Sequence, residues 1–362
     1  MCIPLHPQYL AEVSPKKLRG FASSTASLFL SLGKVLGQVL GQREFLGNAA
    51  LWPLLMAFSG LAALVQLLTL PFFPESPPHL LLDKGDEEGC LKAMRTLWGD
   101  GPHQAELEDL RKEQAATPSS RGRSVLELLR EPSLRWQLYM LITVVVTMQL
   151  SGVQAIYFYM FEVLQTAGFD PSEIPYLSLG VSLSELLSAI LCSFLIERVG
   201  RRVLLWGGYG LMATVLAAVT LTLSLQAWFS WMSYCSLALI FCFVICFGMG
   251  PAGATTSVRV EIFDQSSRPP SFVISSVLNW VGVFVIGIVF PFIVESLRQF
   301  SFLVFMGTLY LAGFLIYFFL PETKEKSILE IKEEFDILNF KKKKHLTSET
   351  NHAEGGTFCT KF

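Results

Sequence analysis

Apolar and polar positions fall in long blocks along this chain, not at the short periods of a soluble helix or strand. Apolar stretches run over residues 21–41, 50–73, 136–162, 174–196, 203–225, 230–258, 271–296 and 301–320, each bounded by charged or turn-forming residues. About 20 apolar residues cross the hydrocarbon core of a bilayer as a helix. In lipid only helices and closed barrels satisfy their own backbone groups. The pattern therefore predicts an all-α fold with eight membrane-crossing helices. Residues 75–132 are polar and carry short helical repeats: Leu91, Met94 and Leu97, then Leu107 and Leu110, then Leu126, Leu128 and Leu129. These predict surface helices and not spans.

Charge gives the orientation. Lys16, Lys17 and Arg19 precede the first stretch, and Arg121 and Arg123 precede the third. Arg198, Arg201 and Arg202 follow the fourth, Arg268 follows the sixth, and Lys341–Lys344 follow the last. With a helix between each alternation, all of them fall on one side, which the positive-inside rule makes cytoplasmic. The opposite loops, such as residues 169–174, are short and acidic. Both termini of the chain are expected in the cytoplasm.

Composition agrees with a membrane protein and excludes several kinds of chemistry. Of the 362 residues 52% are hydrophobic and only 16% are charged, where soluble domains carry about a quarter. Mean hydropathy is +0.48. The net charge of −2 decides nothing, because topology follows local Lys and Arg. Cys2, Cys90, Cys192, Cys235, Cys242, Cys246 and Cys359 form no CxxC pair, so neither a zinc site nor a disulfide framework is indicated. No GxxxxGK[ST] loop for an ATP-driven pump is present. Met1–Pro7 lacks the basic segment of a cleavable leader. No catalytic residue, metal or cofactor is expected.

Acid–base groups recur at the ends of the apolar stretches. Glu12-Val13-Ser14-Pro15-Lys16-Lys17-Leu18-Arg19-Gly20 precedes the first, and Pro74-Glu75-Ser76-Pro77 ends the second. Glu197-Arg198-Val199-Gly200-Arg201-Arg202 follows the fourth, Glu261 and Arg268 flank the sixth, and Pro321-Glu322-Thr323-Lys324 follows the last. Any one of these reads as a solvated cytoplasmic loop. As a set they resemble the facilitative sugar transporters of the major facilitator superfamily, from Glu12 to Thr323. Gln149-Leu150-Ser151-Gly152 is similar to that family's sugar-binding signature. Phe290-Pro291-Phe292-Ile293, Gly207-Gly208-Tyr209 and Phe263-Asp264-Gln265 resemble its fructose-handling class.

The resemblance implies facilitated hexose transport by alternating access between two six-helix halves, with no covalent step and with a plasma-membrane location. A proton-coupled sugar or inositol symporter and a non-transporting membrane protein are the alternative readings. The chain would divide into an N-terminal part over 1–74, a cytoplasmic loop over 75–132, a six-helix bundle over 133–320 and a cytoplasmic tail over 321–362. Met1–Leu10 resembles the end of the family's fourth helix, so the family's first three helices have no counterpart. Saturable uptake is accordingly not expected of these 362 residues by themselves. The partners implied are a hexose and the bilayer; no nucleic acid is expected.

A hexose presents hydroxyls, so its site needs amides and hydroxyls that both donate and accept, with an aromatic ring alongside. By resemblance Gln149, Gln154 and Asn279 are sugar contacts and Trp280 lies near the ring. Thr256 stands where the glucose carriers have tryptophan, which implies a wider cavity. Gly250-Pro251 resembles the family's flexible stretch, and a proline there weakens the helical ladder. The same amides could instead join helices to one another. Two charges lie inside apolar stretches, Lys34 and Glu185, and such charges face a wet cavity or a partner. The resemblance places their helices opposite each other, so an ion pair between them, contacting sugar and gating the cavity, is expected. Gly33, Gly37 and Gly41, four apart, are expected to allow close helix packing. Glu12, Arg19, Glu75, Glu197, Arg201, Arg202, Glu261 and Arg268 are expected to lock the cytoplasmic face.

Overall fold

A computed structural model describes residues 2–15, 18–101, 103–116, 124–166, 168–226, 228–229, 231–264, 266–324 and 326–338. Lys16, Lys17, Arg121, Arg123, Gln265 and Lys341–Lys344 lie outside these, and so does the side chain of Arg19. The described chain is helical almost throughout. Outside the polar stretch the helices are α1 (Cys2–Val13), α2 (Arg19–Leu40), α3 (Trp52–Thr69), then α7 (Arg135–Gln149), α8 (Val153–Phe158) and α9 (Met160–Thr166). They continue with α10 (Ile174–Val199), α11 (Arg201–Leu225), α12 (Met232–Met249), α13 (Pro251–Glu261), α14 (Arg268–Leu297) and α15 (Ser301–Phe319). Between α3 and α7 lie the short α4 (Glu87–Trp98), α5 (Gln104–Ala116) and α6 (Val125–Arg130). A further helix covers 328–338.

Local sequence sets these boundaries. Asp86 caps α4 by accepting from the Gly89 N–H at 2.8 Å. Ser124 and Glu127 close a reciprocal capping box on α6, with the Ser124 N–H donating to Glu127 at 2.8 Å and the Glu127 N–H donating to Ser124 at 3.2 Å. The polar stretch holds a small core of its own, made by Leu81, Cys90, Met94 and Leu107. In α6 only Leu128 is buried; Leu126 and Leu129 are exposed.

Among the described residues, seven helical segments are long and apolar enough to cross a bilayer, where the sequence pattern predicts eight. The difference is α2. It has 22 residues, about 33 Å at 1.5 Å per residue, but it is rich in serine and glycine and carries Lys34. Protein covers part of it instead of lipid: α2 packs on α10 and α13, and Ser23, Ser24 and Ser31 are buried. At the other extreme α3 buries no residue. Its exposed Leu54, Leu61 and Leu68 suit hydrocarbon.

The stretches at 136–162 and 230–258 are each broken. Gly152 takes φ +88°, which an L side chain adopts poorly, and the turn there separates α7 from α8. Gly250-Pro251 separates α12 from α13. Close helix approach happens at other glycines than the sequence suggests. A Cβ on Gly33 or Gly37 would meet nothing within 4 Å, so these do not serve packing. A Cβ on Gly208 would lie 2.7 Å from Pro251, and one on Gly250 2.6 Å from the Leu204 carbonyl, which fixes α11 against the break. The main core, including Val144, Ile196, Tyr209, Phe243 and Phe305, lies within the bundle formed by α7–α15.

Candidate functional site

Three polar clusters lie inside or at the ends of this bundle. The first is an amide pair. Gln149 closes α7 and is 2% exposed. Its Nε2 donates to Asn279 Oδ1 on α14 at 2.7 Å. Its Oε1 is buried without a hydrogen-bond partner among the described residues. Gly282 makes room for this side chain, since a Cβ there would sit 2.6 Å from Gln149 Cγ. A buried amide oxygen left unmade costs about 1–3 kcal/mol, so the pair is a ready acceptor for a hydroxyl. The side chain of Trp280, next to Asn279, is 58% exposed. Gln154 is half-buried on α8. Thr256 is half-buried on α13 and its hydroxyl donates back to Ala252 at 3.4 Å.

The second cluster surrounds Glu185, 2% exposed on α10. Lys34 Nζ donates to its Oε1 at 2.9 Å and its Oε2 at 3.0 Å. Ser31, one turn before Lys34 on α2, donates to Oε1 at 3.0 Å. The Tyr157 hydroxyl on α8 donates to Oε2. Lys34 Nζ also stands 4.3 Å from the centre of the Tyr157 ring, close enough for cation–π attraction. The two intramembrane charges are therefore an ion pair.

The third cluster closes the end of the bundle where α10 meets α11. Arg201, 2% exposed, donates to Glu197 at 3.1 Å and to Glu261 at 3.0 Å. Glu322 accepts from the backbone N–H groups of Arg201 at 2.9 Å, Arg202 at 3.1 Å and Thr323 at 3.0 Å. The Thr323 hydroxyl donates to Glu261 at 2.5 Å. Glu197 also accepts from the Phe21 N–H of α2 at 3.0 Å. Arg268 pairs with Glu12 at 3.6 Å and joins α14 to α1. The Arg202 side chain donates to the Tyr317 carbonyl.

Glu75 differs from expectation: it pairs with Lys84 at 2.5 Å, both exposed, within its own loop. An acid at a helix end looks the same in sequence whether its partner lies across the bundle or nine residues on. Arg259 bonds Ser275 of α14 at 2.9 Å and packs over Phe272. Sequence reasoning did not single out Ser31, Tyr157 and Gly282, residue types common in spans. For Ser31 the spacing was the available signal, because i and i+3 share a helix face.

At the opposite end from the Arg201 cluster a cleft of about 1260 Å³ is lined by Gln42, Glu44, Tyr176, Trp231 and Tyr234. The Tyr176 hydroxyl donating to Glu44 at 2.6 Å holds that carboxyl below its ordinary value. None of the sugar-contact residues read from the sequence lines this cleft.

The sequence profile of the family described as "Sugar (and other) transporter" matches residues 1–335. Human solute carrier family 2, facilitated glucose transporter member 11, is 42% identical over 336 residues, which is 93% of this chain and 68% of that protein. Human member 9 is 41% identical, covering 92% of this chain and 62% of its own length. Human member 5 is 38% identical, with 92% and 66% covered. The chain thus spans roughly two thirds of these relatives. Among solved structures, the major facilitator superfamily proton:xylose symporter XylE bound to 6-bromo-6-deoxy-D-glucose superposes with a TM-score of 0.75 at 19% identity, covering 92% of this chain and 70% of that one. The inward open conformation of the xylose transporter XylE from E. coli gives 0.60 at 20% identity, with 90% and 68% covered.

Proposed function

The chain belongs to the sugar transporter family, and from that membership we propose that the protein carries hexose, fructose or glucose, across the membrane by alternating access. The observation that carries this reading is the Gln149–Asn279 pair. It presents a buried carbonyl without a protein partner at the break between α7 and α8. A sugar hydroxyl donating to Gln149 Oε1 satisfies it. Gln154, Trp280 and Thr256 complete the contacts, with Trp280 supplying an aromatic face. Substrate would pass between the six-helix unit over 133–320 and the unit over 1–74. The network of Arg201, Glu197, Glu261, Arg268 and Glu12 closes the cytoplasmic side.

Arg198, Arg201, Arg202 and Arg268 lie on one face of the helix array, which supports a cytoplasmic position for that face and for the termini. A plasma-membrane location is proposed with the transport reading.

The family's full activity is tested in a form extended to the relatives' length. We expect saturable fructose uptake into proteoliposomes, lowered about tenfold or more by Thr256→Trp, which refills the cavity. Uptake of glucose alone would overturn the fructose assignment. A second reading, proton-coupled symport, is favoured by one observation, the buried carboxylate of Glu185. It requires that an imposed pH gradient drive accumulation; facilitated transport requires that the gradient make no difference.

A further inference from the structure

Cations inside this bundle are paired. Lys34 holds Glu185, Arg201 holds Glu197 and Glu261, and Arg268 holds Glu12. Arg259, half-buried on α13, differs: no carboxylate among the described residues pairs with it. Its guanidinium donates to Ser275 of α14 at 2.9 Å and lies 5.4 Å from the centre of the Phe272 ring. Its Nε is buried without a hydrogen-bond partner. Phe272 and Ser275 are themselves buried. A guanidinium keeps its charge in a protein and presents several N–H donors in a rigid planar fork. At such depth that charge is unfavourable until an anion meets it.

The level of Arg259 along the helices decides what anion that is. The helix α13 runs toward the Arg201 cluster and ends at Glu261, while α14 starts at Arg268 and runs away from it. Ser275 marks the level of Arg259. Asn279 lies four residues further on α14, about 6 Å along the axis and on the same face. Thr256 lies three residues before Arg259, about 4.5 Å along α13 in the same direction. Thr256 and the Gln149–Asn279 pair thus share a level, and Arg259 lies one turn nearer the Arg201 cluster. The amide pair holds a buried oxygen, Gln149 Oε1, that lacks a donor; the guanidinium holds donors that lack an anion. A single pyranose ring with a carboxylate at C6 supplies both, with ring hydroxyls at the amides and the carboxylate on the fork. A planar carboxylate takes two parallel N–H bonds from a guanidinium. One positive charge balances a monoanion. The dianion of a hexose phosphate would leave a charge over, since Arg201 and Arg268 are already paired.

We propose that Arg259 is the anion-binding element of the Gln149–Asn279 site and that this site takes a hexuronate, a sugar acid with its carboxylate on the guanidinium, in preference to a neutral hexose. The inference rests on the reading of the amide pair as a sugar site and names the substrate class of that site. Arg259 sets the preference through charge and geometry together: the buried guanidinium gains its counter-ion only when the acid is bound.

Calorimetric titration of the full chain in nanodiscs with glucose, glucuronate, the methyl ester of glucuronate and acetate tests this. Glucuronate should bind about tenfold or more tighter than glucose, as a charge-assisted hydrogen bond gives. The ester keeps the ring without the charge and should bind within about threefold of glucose. Acetate should not displace glucuronate at equal concentration. Arg259→Gln should bring the ratio of glucuronate to glucose affinity to within about threefold of one. Arg259→Lys keeps the charge without the fork and should give a ratio between those of the parent and Arg259→Gln. The comparison of acid and ester in the parent chain decides the matter even if a variant fails to fold. The proposal is overturned if glucuronate binds no tighter than glucose, if the ester matches the acid, if Arg259→Gln keeps the preference, or if acetate displaces glucuronate at equal concentration, which would mark an anion site without a sugar. Glucose binding without a preference for the acid overturns this inference and leaves the hexose reading standing. If neither glucose nor glucuronate binds, the sugar site and the inference fall together.

Discussion

Gly152 shows how much one residue decides in this bundle. Its φ of +88° separates α7, which ends at Gln149, from α8, which carries Tyr157. An added Cβ would lie 3.1 Å from the Phe305 ring. Gly152→Ala therefore faces both a left-handed backbone and a tight contact, and should cost about 1–3 kcal/mol. Gly207→Ala, with nothing within 4 Å of its Cβ, is the control and should be neutral or slightly stabilising. Thermal unfolding in detergent measures both; equal midpoints would show that the break is set elsewhere. At this scale the sequence was legible where chemistry is rare in lipid. Lys34 and Glu185 stand out because charges seldom occur in apolar runs, and the structure pairs them. Ser31 and Tyr157 complete the same cluster but are ordinary residues of a span, so only their placement reveals them.

Between elements, small charged groups connect what apolar packing leaves free to slide. Arg201 links α10, α11 and α13 through Glu197 and Glu261. Removing it takes a buried cation away from Glu261, 5% exposed. Arg201→Ala should destabilise the bundle by about 3–5 kcal/mol, as loss of one partner of a buried pair does. Lys84→Ala breaks an exposed pair and should change stability by about 0–1 kcal/mol. If both substitutions gave the same small loss by thermal unfolding, the network would not fasten this end of the bundle. The elements themselves followed from the apolar blocks, yet their breaks did not. Continuous apolar runs at 136–162 and 230–258 hide the turns at Gly152 and Gly250, because hydropathy averages over a window while a break needs one residue. The helix α2 shows the converse. It is helical as the pattern predicts, but serine and lysine place it against α10 and α13 and not fully in lipid.

For the molecule as a whole, the all-α membrane fold was legible because bilayer thickness converts directly into run length. The acid–base set at the helix ends was legible in part: six of these residues come together in contacts that join elements, while Glu75 stays within its own loop and the side chain of Arg19 is not described. The residues proposed to contact sugar were singled out only through likeness to a family, since an amide in a span looks the same whether it holds a helix or a ligand. The Gln149 carbonyl, without a partner among the described residues, supports the ligand reading. Titrating fructose and glucose into the purified chain, with intrinsic tryptophan fluorescence as the signal, addresses that point directly. Saturable binding that Gln149→Ala weakens about tenfold or more, and that the open-chain polyol mannitol does not mimic, is the predicted result. Absence of saturable binding, or binding indifferent to Gln149→Ala, would contradict the assignment of the amide pair as the hexose site.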